Sequence, residues 1–179
     1  PRVLTLGADG RLRMNPPEEI QRLRYNGKQK TNLTVEAGAE LALEGIGGNS
    51  LELSLELNTR DAKQYGLKAC ASPGGEEQTL VYYDAAEKKL KVDTTKSSLA
   101  DGPKGVEAGP FELRPDEPLK LRVFVDKSVV EVFANGRQAV MRRVYPSRPD
   151  SIGVKLFAHG GAIQAATLEA WDMMPSNPF

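Results

Sequence analysis

The stretch Leu119–Pro146 limits what this 179-residue chain can fold into more than any other. Leu119, Leu121, Val123 and Val125 alternate with Lys120, Arg122 and Phe124, the period-two pattern of a strand with one buried face. Asp126-Lys127 then turns the chain into Ser128–Phe133, which is rich in β-branched residues. Asn135-Gly136 follows. An Asn-Gly pair between apolar runs is the strongest short-range hairpin signal, because a type I′ turn needs positive φ at both central positions. Gln138–Val144 supplies the returning strand, closed by Tyr145-Pro146. The stretch therefore predicts an antiparallel meander.

Strand signals recur along the rest of the chain. Ser50–Asn58 places Leu51, Leu53, Leu55 and Leu57 on one face and Glu52, Ser54 and Glu56 on the other. Its residues favour helix by propensity, but helical spacing would scatter those leucines all round, so the period decides for a strand. Arg2–Leu6 and Leu12–Met14 flank the turn Gly7-Ala8-Asp9-Gly10. Tyr65–Ala71, Gln78–Asp84, Lys89–Asp93, Ile152–Ala158 and Ile163–Trp171 continue the series. One short helix is expected at Pro16–Leu23, capped by Asn15, with prolines at its start and acids in its first turn. Thr94–Asp116, with Gly102-Pro103, Gly109-Pro110 and Pro115, reads as a looser crossing between sheets. Some dozen short strands joined by Gly- and Pro-rich turns predict an all-β, two-sheet antiparallel β-sandwich as one domain over residues 1–179, ending in a loose tail at Met174–Phe179.

Composition narrows the function. The chain carries 24 basic and 24 acidic residues, so no basic field exists to draw in nucleic acid or an anionic membrane surface. Its apolar runs are strand-sized and broken by charge, and the N-terminal PRVLTLGADGR has no signal-peptide pattern. One His and one Cys cannot build a zinc site of the usual kind, and no calcium-loop spacing occurs, so neither metal nor cofactor is expected.

The meander, extended through Gly153–Met173, resembles the C-terminal β-sandwich of glycoside hydrolase family 32, which contains invertases, levanases and inulinases. The resemblance rests on Leu121-Arg122-Val123-Phe124-Val125-Asp126, Ser128, Val130-Glu131-Val132-Phe133 and Asn135. Leu156-Phe157-Ala158, Gly160-Gly161, Leu168 and Trp171 continue it. Pro1–Arg24 is similar to the passage by which that family's chain leaves its catalytic propeller. Thr79–Ser98 is similar to a strand pair, although Asp93-Thr94 stands where the family often has Asp-Arg. The resemblance implies a lectin-like sandwich whose partner is a five-bladed catalytic propeller on the same parent chain. Retaining hydrolysis by such a propeller needs two carboxylates about 5 Å apart. The family's W-x-N-D-P-N, R-D-P and E-C motifs are absent here: Asn15 precedes Pro16 with no aspartate, Arg60-Asp61 is followed by Ala62, and Cys70 follows Ala69. The chain is thus expected to be a non-catalytic accessory domain separated from its propeller, with a stand-alone carbohydrate-binding module for fructans or other glycans as the alternative.

Asp126, Ser128, Glu131, Tyr83 and His159 are the candidate contacts to a neighbouring domain or a glycan. Glu131 fits a seam with the propeller or a sugar subsite. Asp126 and Ser128 are equally suited to organising a turn through side chain–backbone bonds. Alternation puts Tyr82 and Tyr83 on opposite faces, so only one can offer an aromatic ring outward. His159 lies in the loop Ala158–Gly161, with no nucleophile motif beside it. Trp171 shares its phase with Ile163 and Ala165 and is expected in the core, and Glu52 and Glu56 are expected to face solvent.

Overall fold

The computed structural model describes residues 1–176. Strands β1 (Val3–Leu6) and β2 (Leu12–Asn15) form a hairpin, followed by a 3₁₀ turn at Glu18–Leu23. Then come β3 (Arg24–Val35), β4 (Glu40–Gly47), β5 (Ser50–Asn58), β6 (Gln64–Ala71), β7 (Thr79–Asp84), β8 (Lys89–Asp93) and β9 (Val106–Pro110). The meander supplies β10 (Leu119–Asp126), β11 (Val129–Ala134) and β12 (Gln138–Arg143), and β13 (Gly153–His159) and β14 (Ile163–Met173) complete the chain. Two six-stranded sheets result. Sheet I has the order β12-β11-β10-β5-β14-β3 and sheet II the order β4-β13-β6-β7-β8-β9, all neighbours antiparallel.

The alternation read from the sequence is the alternation that packs. Leu51, Leu53, Leu55 and Leu57 of β5 and Leu119, Leu121, Val123 and Val125 of β10 point between the sheets, where they meet Leu67, Val81, Leu90, Val92 and Leu156 of sheet II. The expected hairpin turn also forms. Asn135 and Gly136 have φ of 48° and 62°, and the Arg137 amide donates to the Ala134 carbonyl to close it. Asn135 then uses its side chain, accepting from the Lys120 amide and donating to Glu117 and the Pro118 carbonyl.

Four expectations need correction. The N-terminal helix is a 3₁₀ turn, with Pro17 at its cap in an extended conformation and no side-chain cap. Pro17 holds Pro16 out of the α region, and the six residues bury nothing, so no packing pays for a longer helix. Asn15 instead pairs with Val3 in the hairpin. Second, Thr94–Asp116 is not a loose crossing throughout, since β9 runs inside it, and β3 and β4 likewise occupy a stretch with no clean alternation. All three are sheet edges, where one flank is unpaired and polar residues such as Lys28 and Lys30 replace the apolar pattern. The crossing from sheet II to sheet I is correspondingly shorter than expected and lies after β9.

Third, Trp171 is on the outer face of sheet I. The β14–β5 register shifts by one residue between Ala165 and Leu168, and such a slip turns every later side chain over. Ile163 and Ala165 therefore face the core, Leu168 and Ala170 take over that role, and Trp171 turns outward. Fourth, Glu52 is fully buried although it sits on the outer face of sheet I. Of the tail expected at Met174–Phe179, residues 177–179 lie outside the described residues, and the Met174 amide is held by the Leu23 carbonyl.

Close approach fixes one glycine. A Cβ on Gly66 of β6 would lie 2.7 Å from Tyr82 Cα, with the Val81 carbonyl oxygen closer still. Gly66→Ala is expected to cost about 3 kcal/mol, since the obstruction is backbone of the paired strand and cannot rotate away. Urea unfolding measures this, and a loss below about 1 kcal/mol would contradict the packing described.

Candidate functional site

The outer face of sheet I departs from an ordinary solvated sheet face. Register sets two rows across it. Met141, Glu131, Phe124, Glu52 and Trp171 form one, and Ala139, Phe133, Arg122, Ser54, Glu169 and Gln29 the next. Phe124 and Phe133 pack edge to face at 6.1 Å and are buried. Between them and Trp171 lies Glu52, whose side chain is 0% exposed.

Arg24 takes the Glu52 carboxylate as a fork, Nε donating to Oε2 at 2.8 Å and Nη2 to Oε1 at 2.7 Å. Arg122 Nε adds a third bond to Oε1 at 2.5 Å. The Arg24 guanidinium also stacks on the Trp171 ring at 3.8 Å, and that of Arg122 lies 5.4 Å from the Phe124 centroid. The outward turn of Trp171 and the burial of Glu52 are therefore one arrangement: the bulge in β14 delivers the ring on which Arg24 rests.

The N-terminal hairpin lies on the same side. Arg2 pairs with Glu131 at 2.8 Å and lies 5.9 Å from the Phe133 centroid, and the Met14 amide donates to the Gly136 carbonyl. The hairpin exposes Val3, Leu4, Leu6 and Leu12, with Leu6 77% exposed. A cleft of about 450 Å³ opens beside it, lined among others by Asn15, Ser54, Arg122, Phe133 and Glu169.

The five candidates do not converge. Glu131 sits on this face, bound to Arg2. Asp126 and Ser128 mark the β10–β11 turn at one end of the sheet. Among the described residues neither makes a side-chain hydrogen bond there; Lys127 turns the chain with φ of 51° and its amide donates to the Asn49 carbonyl. Tyr83 points into the core and packs edge to face on Tyr65 and Phe111, so it offers nothing to a glycan. Alternation leaves Tyr82 outward on sheet II, beside Phe157 and Lys91. His159 is exposed at the end of β13, against Phe157.

A second buried carboxylate escapes the sequence reading. Glu77 accepts bonds from the Leu99 amide (2.7 Å), the Ser147 amide (2.9 Å) and hydroxyl, the Arg148 amide (3.1 Å) and the Ser151 hydroxyl (2.6 Å). It thereby latches two loops to the end of sheet II. Burial alone would raise its pKa, but the bonds from Ser147, Ser151 and Leu99 outweigh this and hold it at about 2. Nothing in Gly74-Gly75-Glu76-Glu77 distinguishes this acid from the exposed Glu76 beside it.

The sequence matches the family model described as Glycosyl hydrolases family 32 C terminal over residues 19–172. It is 33% identical over 178 residues to a levanase of Bacillus subtilis (strain 168), covering 94% of this chain and 26% of the levanase. It is 26% identical over 182 residues to a sucrose-6-phosphate hydrolase of Zymomonas mobilis, covering 99% of this chain and 34% of that protein. The fold matches a fructan 1-exohydrolase IIa from Cichorium intybus with a TM-score of 0.86, over 98% of this chain and 41% of that one, at 18% identity. The chain thus spans about a quarter to a third of the curated relatives named here.

Proposed function

Because the chain belongs to the family 32 glycosyl hydrolases as their C-terminal domain, we propose that it is the non-catalytic accessory β-sandwich of a β-fructosidase. It packs the outer face of sheet I against the catalytic propeller of its parent, stabilises that propeller and edges the substrate cleft. The observation that carries this reading is the burial of Glu52, Phe124 and Phe133 on the outer side of a sheet, next to a hairpin exposing four large apolar residues. Apolar exposure concentrated at one place on a surface marks contact with another body.

Three acids of this face, Glu52, Glu131 and Glu56, are committed to ion pairs rather than to chemistry. Glu52 holds two arginines, Glu131 holds Arg2, and Glu56 pairs with Lys120 at 3.0 Å. A retaining hydrolase needs one carboxylate free to attack and one to donate a proton. The pure chain is expected to show no turnover on sucrose, levan or inulin; measurable hydrolysis would end this reading. With Tyr83 in the core, a stand-alone fructan-binding module would have to stack its sugar on Tyr82 or Trp171, and the Trp171 ring already carries the Arg24 guanidinium at 3.8 Å. Calorimetric titration with fructo-oligosaccharides is accordingly expected to give no heat at millimolar ligand, and a saturable signal would favour the module instead.

A further inference from the structure

We propose that Arg122 is the docking point for an Asp or Glu carboxylate carried by the propeller that packs on sheet I, an inference that rests on the packing reading above. The Glu52 cluster holds one carboxylate and two guanidinium groups, so it carries an excess positive charge. Arg24 takes the fork, leaving Arg122 a single bond through Nε. Arg122 Nη2 is buried with no hydrogen-bond partner among the described residues, while the Arg122 side chain as a whole stays 22% exposed to an approaching group. A buried donor left unmatched is uncommon and costly in a native structure.

The local acids do not meet this demand. Glu56 is held by Lys120. Glu169 belongs to the same row as Arg122 but lies two strands away, about 10 Å by strand spacing, and forms no ion pair among the described residues. Arg122 lines the cleft together with Ser54 and Phe133, and it lies against Phe124, so a covering domain would enclose it in apolar surroundings. Under such a cover a guanidinium–carboxylate pair becomes both strong and selective, and arginine is among the residues that most often dominate interfaces. The hairpin leads onto the same ground: Asn15 lines the cleft and Met14 is bound to Gly136. Roughly two thirds or more of each relative's length lies outside the match, ample to supply the acid.

The test titrates the chain into the polypeptide that precedes the matched segment of the Bacillus subtilis levanase, with the levanase's own 178-residue segment as positive control. Arg122→Gln is expected to weaken binding tenfold or more, Arg122→Lys by less, and Lys89→Gln, on sheet II, not at all. Raising salt from 0.1 to 0.5 M, about, should weaken the unaltered chain more than Arg122→Gln. Equal affinity and equal salt dependence for the unaltered chain and Arg122→Gln would overturn the docking point and leave the packing reading standing. Failure of the unaltered chain to bind, with the control binding, would overturn the packing reading and this inference with it.

Discussion

Glu52→Ala is expected to destabilise the chain by about 3 kcal/mol, read as a lower urea midpoint at unchanged m-value. The substitution removes the shared acceptor of Arg24 and Arg122 and leaves two guanidinium groups facing each other across β5. Their side chains are 18% and 22% exposed, so water relieves part of the loss and the effect falls at the lower end for a buried pair. Arg24 also loses what holds it over Trp171, so near-ultraviolet circular dichroism of that single tryptophan should weaken. A loss under 1 kcal/mol would mean that the cluster behaves as a screened surface pair.

Glu77→Gln is expected to cost a similar amount, about 3 kcal/mol, and to loosen the loops around Leu99 and Ser147–Ser151. An amide supplies one acceptor oxygen where the carboxylate has two, and its NH₂ would face donors. Limited proteolysis should find new cleavage confined to those loops, since this one side chain holds the Leu99, Ser147 and Arg148 amides and the Ser147 and Ser151 hydroxyls. Unchanged resistance would remove the latch from the account.

The same carboxylate gives the chain an acid limit. Asp84 behaves likewise: its burial, which would raise its pKa, is outweighed by bonds from Lys91, the Glu87 amide and Gln64, which bring it to about 2. A carboxylate whose folded pKa is depressed contributes its full stabilisation above its unfolded pKa, and that contribution disappears as pH falls through the folded value. For Glu77 the window runs from about 4.5 down to about 2, and a shift of this size corresponds to about 3 kcal/mol. The urea midpoint should therefore fall steadily between pH 5 and 2, and Glu77→Gln should flatten much of that fall. An equal slope in both proteins would contradict the assignment.

The sheets were legible where one face is buried and one is not. In β5 and β10 the alternation is a direct consequence of water on one side and leucine on the other. It failed at β3, β4 and β9, whose edge positions relax the pattern. The outer face of sheet I was illegible for a different reason. Glu52 reads as solvent-facing because alternation reports which side a residue takes, not what covers it, and its two arginines come from 28 residues before and 70 residues after. Trp171 was misplaced by a single-residue bulge that no composition signal marks. Glu131 stood out through its family motif, and its partner Arg2 lies 129 residues away. Glu77 had no signal at all, since its donors are mostly backbone amides.

Oxidative footprinting of the chain bound to the levanase polypeptide described above tests the central claim most directly. If sheet I packs on the propeller, Met141, Trp171 and Leu6 should lose reactivity on binding while Tyr82 and His159 on sheet II keep theirs. Protection of Tyr82 and His159 with Met141 and Trp171 unchanged would contradict the account, because the buried acid and aromatics of sheet I would then face nothing.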